Sequence, residues 1–148
     1  MSAASTGFVL DASVAAKWFT RHEESNRDRA LELRAFYEDG QCRLVAPEML
    51  LLEVLNAVRF SHHAEETGTE QAIEGLERLQ LEMVPLDGVL LRKASAIAWS
   101  HDSSLYDATY VAIAELVELP LLTADEVLVK KMRGHRLVLR LRDARFGS

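Results

Sequence analysis

Residues 104–125 read SLYDATYVAIAELVELPLLTAD, and this stretch decides the fold. Residues 104–118 form a strongly apolar run that is long enough for a helix, and PLLT at 120–123 is typical of a short buried strand. An acid, Asp125, follows that strand almost at once. A buried helix that leads into a short apolar strand favours an α/β protein, in which helices cover a parallel sheet.

The same alternation of strands and helices runs through the rest of the chain. GFVLD at 7–11 is a second short apolar run that ends in an acid. Further strands are predicted at 42–46, 81–86 and 136–141, the last as an edge strand because polar and apolar residues alternate along it. Besides 104–118, helices are predicted at 14–19 with Ser13 as the N-cap, at 24–39, from Pro47 to about 64, and at 69–80, 87–100 and 125–134. We therefore expect one domain over residues 1–148, a three-layer α/β/α sandwich around a central, mainly parallel sheet of about five strands.

Length and composition agree with one ordinary globular domain. The chain has 148 residues, of which 49% are hydrophobic and 27% charged. A single cysteine, Cys42, excludes an intrachain disulfide and a cysteine-rich zinc site. No apolar stretch reaches the ~18 residues that a membrane span needs, and the N-terminus lacks the features of a signal peptide. We therefore expect a cytoplasmic protein with no membrane contact.

Charge is distributed unevenly along the chain. The net charge is −6, but residues 1–125 hold 10 basic and 21 acidic side chains, whereas residues 126–148 hold 7 basic and 2 acidic ones. The basic C-terminal segment is either a solvated face or a surface for phosphates or an acidic partner. Lys17 and Arg21, four residues apart on the first predicted helix, have the same two interpretations.

Four acids stand in apolar surroundings: Asp11, Glu53, Asp107 and Asp125. A lone carboxylate is rarely buried, because its desolvation costs several kcal/mol unless a partner compensates. Two of these acids follow strands, and the carboxyl ends of parallel strands meet at one edge of a sheet, where ligands bind. Such a cluster repels itself without a cation, and Mg²⁺ is the hard, oxygen-binding ion that suits it. A site of this kind suits phosphodiester hydrolysis by metal-bound water.

Each acid also has a plain structural interpretation. Asp107 could complete a capping box with Ser104, and Asp125 could stabilise a helix N-terminus. Asp11 could simply end a strand in a turn, and Glu53 could form the polar edge of an amphipathic helix.

Three segments of the chain resemble the PIN domain, and within it the VapC-type toxin ribonucleases of prokaryotic toxin–antitoxin pairs. They are FVLDASVAAKWF at 8–19, PEMLLLEVLNAV at 47–58, and the stretch 104–125. The last is the most specific, because it holds a DA-x-Y-x-A-x-A helix followed by a short strand that ends in T-x-D.

The resemblance implies an Mg²⁺- or Mn²⁺-dependent endoribonuclease that acts on RNA, has an antitoxin as partner and forms a homodimer. By position, the family's four acidic residues match Asp11, Glu53, Asp107 and Asp125. Asp11 and Asp107 would be the most direct metal ligands, while Glu53 and Asp125 would complete the coordination or act through water. The other residues implied have supporting roles: Ser13 and Thr123 would orient the acids or waters, and Asn56 would share the face of Glu53.

Other interpretations stay open at this point. The same residues would serve a PIN nuclease of RNA processing with no toxin role, and a non-catalytic binding module could have kept the fold. A phospho-accepting Asp of the haloacid-dehalogenase type would need a second Asp at position 13, which is Ser13. The sequence has no P-loop or dinucleotide motif. Tyr110 is interpreted as packing, and Trp99 as a core or interface residue.

Overall fold

Five parallel strands form the centre of the protein, in the order β3-β2-β1-β4-β5. The computed structural model describes residues 6–20 and 25–147, so the predicted phosphate contact Arg21 lies outside the described residues. The strands are β1 (Gly7–Leu10), β2 (Arg43–Pro47), β3 (Glu82–Val84), β4 (Leu121–Thr123) and β5 (Val138–Arg140).

Helices flank this sheet, and the described ranges contain seven α-helices. They are α1 (Ala12–Ala15), α2 (Arg27–Glu38), α3 (Met49–Arg59), α4 (Glu66–Leu79), α5 (Gly88–His101), α6 (Leu105–Val117) and α7 (Glu126–Lys131). Short 3₁₀ turns follow α1 at Ala16–Trp18 and β5 at Leu141–Asp143. The predicted α/β fold with a parallel sheet of about five strands is confirmed. In the part of the chain that is described, no helix combines the length and apolar character needed to cross a bilayer.

The first strand lies in the middle of the sheet, where the strand order reverses. From β1 the chain moves outward through β2 and β3, then returns to the other side of β1 with β4 and β5. The pairs Val9↔Leu121 and Leu10↔Leu122 fix the register of β1 against β4. In parallel α/β sheets this switch point opens a crevice beyond the carboxyl ends of the two strands.

Helix α6 has the longest run of buried residues among the described helices, since every residue from Ala108 to Ala114 is buried. It packs against α5 and against β1, β2 and β4. The three alanines and Val111 give it small side chains that allow close approach to the sheet. Its first turn therefore carries Asp107 toward the crevice beside β1 and β4.

Helix α3 has one buried face, formed by Leu50, Val54 and Val58 at spacings of four residues. It packs against α1 and α4. Glu53 is half-buried at the border of this face, next to Val54.

Three local predictions are wrong in detail. Asp11 occupies the N-cap position of α1, and Ser13 lies within the first turn instead of capping it. Pro47 is the last residue of β2 and not the start of α3. Helix α3 ends at Arg59, short of residue 64, because Ser61 and Ala64 take part in turns after it.

Candidate active site

Asp11 is the most buried carboxylate of the site, with 5% of its surface exposed. It directly follows β1, so the sheet carries it to the switch point between β1 and β4. Its Oδ2 accepts hydrogen bonds from Ser13 Oγ at 2.5 Å and from Thr123 Oγ1 at 2.8 Å. Two hydroxyl donors therefore compensate part of the desolvation of this carboxylate.

The backbone fixes the direction of these two hydroxyls. The N–H of Ala124 donates to Ser13 Oγ at 2.9 Å, and the N–H of Asp125 donates to Thr123 Oγ1 at 3.0 Å. Since each hydroxyl oxygen accepts from an amide, its own hydrogen is available for Asp11. The turn after β1 and the loop after β4 are thus held together at the site, and both Ser13 and Thr123 donate to Asp11.

Asp107 and Asp125 lie at the N-terminal ends of α6 and α7. The N–H of Asp107 donates to Ser104 Oγ at 3.1 Å, so Ser104 caps α6, but the Asp107 carboxylate accepts no hydrogen bond from the described residues. Asp125 caps α7 through Oδ1, which accepts from the N–H of Val127 at 2.9 Å and of Leu128 at 3.3 Å. The capping interpretation therefore holds for Asp125 and accounts for only one of its two carboxylate oxygens.

Glu53 enters the site from α3 and is held by a buried tyrosine of α6. Tyr110 is completely buried, and its hydroxyl donates to Glu53 Oε1 at 2.7 Å. The interpretation of Tyr110 as a packing residue was therefore incomplete. The signal in the sequence was its position three residues after Asp107, which places both on one side of the helix.

The four carboxylates share one electrostatic environment. Burial raises the pKa of Asp11, the Ser13 and Thr123 hydroxyls oppose that rise, and the charge of Asp125 adds to it. Burial also raises the pKa of Glu53, which the bond from Tyr110 opposes and the charges of Asp11 and Asp107 increase.

The pKa of Asp107 is raised as well. Burial, followed by the charges of Asp125 and Asp11, raises its pKa from 3.8 to about 6. The ion pairs of the described residues involve none of the four site carboxylates. Their mutual repulsion is therefore not compensated by any such pair.

The donor set fits a hard divalent cation in its chemistry, since every donor is a carboxylate oxygen. As the side chains are placed, no group of three or more Asp, Glu, His or Cys in the described ranges is arranged to hold a metal ion. Mg²⁺ needs no such cage, because it keeps several waters and binds through one or two carboxylates together with a phosphate. The Asp107 carboxylate and Asp125 Oδ2, which accept no hydrogen bond from the described residues, suit that mode of binding.

Asn56 takes no part in the hydrogen bonds described for this site. Its side chain is exposed and makes no hydrogen bond with the described residues. Its predicted supporting role therefore stays a prediction.

Comparisons with known proteins bear on the fold and the family. A family model described as the PIN domain matches residues 8–133, a range that includes all four acids. A comparison with curated protein sequences finds no match.

Several solved structures share the fold at low identity. A chain of a toxin–antitoxin complex from Klebsiella pneumoniae is 17% identical, with a TM-score of 0.67, and the similarity covers 90% of this chain and 97% of that one. PAE2754 from Pyrobaculum aerophilum is 18% identical, with a TM-score of 0.65 and coverage of 94% and 93%. FitAcB from Neisseria gonorrhoeae is 15% identical, with a TM-score of 0.64 and coverage of 93% and 99%. Since the family model spans most of the chain and the fold agrees with it, the protein belongs to the PIN domain family.

Proposed function

We propose that this protein is a metal-dependent endoribonuclease that hydrolyses RNA phosphodiester bonds at the carboxylate cluster of Asp11, Glu53, Asp107 and Asp125. One observation carries the proposal. A carboxylate that is 5% exposed, Asp11, is oriented by two hydroxyls at the switch point of the sheet and lies within electrostatic reach of Asp125. A binding module without catalysis has no need for this arrangement, because such burial is costly.

The acidic side chains have different roles in this proposal. Asp11 provides a fixed negative charge, since its Oδ2 is held by Ser13 and Thr123. Asp107, which is half-buried and has a raised pKa, would hold the metal in its deprotonated form. Tyr110 holds Glu53 at Oε1, so Oε2 would hold the metal directly or through a water, and in the second case would accept a proton from that water.

The implied cofactor is Mg²⁺ or Mn²⁺, with Asp11 and Asp107 as its main ligands and Glu53 and Asp125 as further ligands, directly or through water. A divalent ion there would supply positive charge against the carboxylates and the phosphate, and would lower the pKa of a bound water.

We further propose that the protein is the toxin of a type II toxin–antitoxin pair in the cytoplasm, with an antitoxin protein as partner. The shared fold with a chain of the toxin–antitoxin complex from Klebsiella pneumoniae supports this role. Expression of the protein alone should arrest growth, and co-expression of a neighbouring small gene with a DNA-binding N-terminus should relieve the arrest. An RNA-processing nuclease without a toxin role would cut RNA but leave growth unaffected.

A homodimer is the proposed assembly. An exposed apolar surface lies around the turn between α5 and α6, where Trp99 is 87% exposed and Leu105 and Tyr106 follow with 52% and 62%. Exposed apolar patches of this kind mark protein contacts.

The nuclease activity is tested by RNA cleavage with purified protein in Mg²⁺ or Mn²⁺, with and without EDTA. Asp11→Asn should lower kcat/KM by about a hundredfold or more, since even outer-shell residues of metal sites are worth about 10–100-fold. The matched control is Asp102→Asn. Asp102 is an exposed acid with a φ of 52°, a conformation that Asn also accepts, so this variant should cut like the wild type.

Cleavage that EDTA and Asp11→Asn both abolish, but Asp102→Asn does not, would support the proposal. Cleavage that survives Asp11→Asn or EDTA would contradict it. So would the absence of cleavage across several RNA classes when calorimetry shows that the metal binds.

A further inference from the structure

A cavity of about 140 Å³ opens at the carboxyl edge of the sheet beside β4 and β5. Thr123 and Ala124 form one side of it, and these are the residues whose hydroxyl and N–H bond Asp11 and Ser13. The cavity therefore shares a wall with the carboxylate site.

The opposite side of this cavity is basic. Arg140 ends β5 and Arg142 follows it, and because β5 runs parallel to β4, both lie at the same edge as Asp11. Lys17, 8% exposed after α1, lines the cavity as well. Basic side chains therefore line a cavity that adjoins the carboxylate site.

A larger groove of about 550 Å³ continues from this cavity between α7 and β5. The cavity and the groove share Glu126 and Arg140, which pair at 3.0 Å between Oε2 and Nε. Lys130 and Arg133 line the groove. The cavity and the groove, which meet at the Glu126–Arg140 ion pair, together form a basic path that leads away from the site.

The charges on this path are available to a ligand. Lys130, Arg133 and Arg142 are exposed and form no ion pair with an acid in residues 6–20 or 25–147. Residues 126–148, which supply most of the path, hold 7 basic and 2 acidic side chains. The family match ends at residue 133, so Arg140 and Arg142 lie outside the part of the chain that defines the family.

We propose that this basic path binds the phosphate backbone of single-stranded RNA as it leaves the cleavage site, with Arg142 beside the site and Arg133 farther along. The inference rests on the proposed nuclease function. RNA fits better than an acidic protein, because the path begins at the wall of the site where a scissile phosphate would sit. A groove that follows a backbone and contacts phosphates gives affinity without sequence preference.

The test is the binding of a fluorescent single-stranded RNA of about 20 nucleotides, followed by anisotropy at several salt concentrations. All proteins carry Asp11→Asn, so that the RNA is not cut. Arg133→Gln and Arg142→Gln should each weaken binding by about threefold to tenfold and reduce the salt slope by about 0.7. Both variants change exposed side chains, and circular dichroism verifies that they remain folded.

The matched control is Arg78→Gln. Arg78 is an exposed arginine near the end of α4, just before the amino end of β3 and thus at the edge opposite the site. The variant Arg78→Gln should leave both the RNA affinity and the salt slope unchanged. Equal losses in all three variants, or unchanged binding in Arg133→Gln and Arg142→Gln together, would overturn the proposal.

Polyglutamate serves as the probe for an acidic protein partner. Binding of polyglutamate that depends on Arg133 and Arg142, with no such dependence for RNA, would also overturn the proposal. RNA binding through these residues by a protein that cuts no RNA would support the basic path and overturn the nuclease. Cleavage by a protein whose RNA binding depends on neither arginine would support the nuclease and overturn the basic path.

Discussion

The hydroxyl of Tyr110 donates a hydrogen bond of 2.7 Å to Oε1 of Glu53, across a separation of 57 residues in sequence. The bond joins the buried face of α6 to the half-buried acid of α3. It orients Glu53, whose pKa is raised by burial and further by the charges of Asp11 and Asp107.

Tyr110→Phe should lower kcat/KM for RNA cleavage by about tenfold, because Glu53 loses the donor that orients it. The free energy of unfolding should fall by about 1.5–3 kcal/mol, the usual contribution of a hydrogen bond to a charged group. Activity assays and thermal unfolding measure both effects.

The matched control is Tyr37→Phe. The Tyr37 hydroxyl donates to the carbonyl oxygen of Leu79 at 2.6 Å, away from the site, so this variant should lose stability but keep its activity. If Tyr110→Phe keeps as much activity as Tyr37→Phe, the Tyr110 hydroxyl does not orient Glu53 for cleavage and Tyr110 only packs.

Thr123→Val is the second prediction. Thr123 is completely buried and donates to Asp11, so an isosteric Val removes one of the two hydroxyls that favour the charged carboxylate. The pKa of Asp11 should rise further, and stability should fall by about 1–3 kcal/mol, since the N–H of Asp125 also loses its acceptor. Metal titration by calorimetry should show weaker binding than in the wild type.

Thr109→Val separates this effect from simple loss of a buried hydroxyl. Thr109 is 2% exposed and donates to the carbonyl oxygen of Leu105 at 2.6 Å within α6. It should keep wild-type metal affinity, and an equal loss of affinity in both variants would contradict the role given to Thr123.

The stability of the metal-free protein should depend on pH through Asp107. Its folded pKa of about 6 exceeds the ordinary 3.8, so the folded state binds more protons than the unfolded chain between these values. Its stabilising effect is therefore complete at low pH and is lost as the pH rises through about 6. Asp11 and Glu53, whose pKa values are also raised, act in the same direction.

Thermal unfolding in EDTA should therefore show a lower Tm at about pH 7.5 than at about pH 5. Glu82 and Glu115 have lowered pKa values, so their ionised forms stabilise the fold and this contribution is lost only in stronger acid. That loss sets the lower limit of the pH interval over which the effect of Asp107 can be measured. Mn²⁺ should remove the decrease, and Asp107→Asn should reduce it. A Tm that rises with pH over this interval would refute the proposed repulsion.

Trp99→Glu should shift the proposed homodimer toward the monomer, because it places a charge in the exposed apolar surface at the α5–α6 turn. Light scattering coupled to gel filtration measures the mass. Phe60→Glu is the control, since Phe60 is 74% exposed at the end of α3 and should leave the mass unchanged. A wild-type protein that is monomeric at all concentrations would contradict the assembly.

Sequence reasoning predicted the centre of the sheet because its central strands are short apolar runs that the rest of the fold buries. β1 and β4 are buried almost throughout, so composition alone distinguishes them. Pro47 misled the prediction because a proline is common in the first turn of a helix. In the sheet, pairing of β2 with β1 ends at Val45, so the missing N–H of Pro47 costs no hydrogen bond there.

The proximity of Asp11 and Asp125 could also be predicted, because both follow parallel strands whose carboxyl ends lie together. The bonds that orient the acids could not. Thr123 reaches Asp11 over 112 residues and Tyr110 reaches Glu53 over 57, and no local pattern encodes contacts of that range.

Because β1 lies at the centre of the sheet, the carboxylate site can assemble only late in the synthesis of the chain. β1 cannot pair with β4 until β4 has been synthesised, and β4 is more than a hundred residues later in the chain. Contacts of such long range form late in folding, because the intervening loop must close first. A nascent chain that stops before residue 121 contains Asp11 without the Thr123 hydroxyl that orients it and without Asp125. Under the proposed nuclease function, unfinished translation products of this gene are therefore expected to leave RNA uncut.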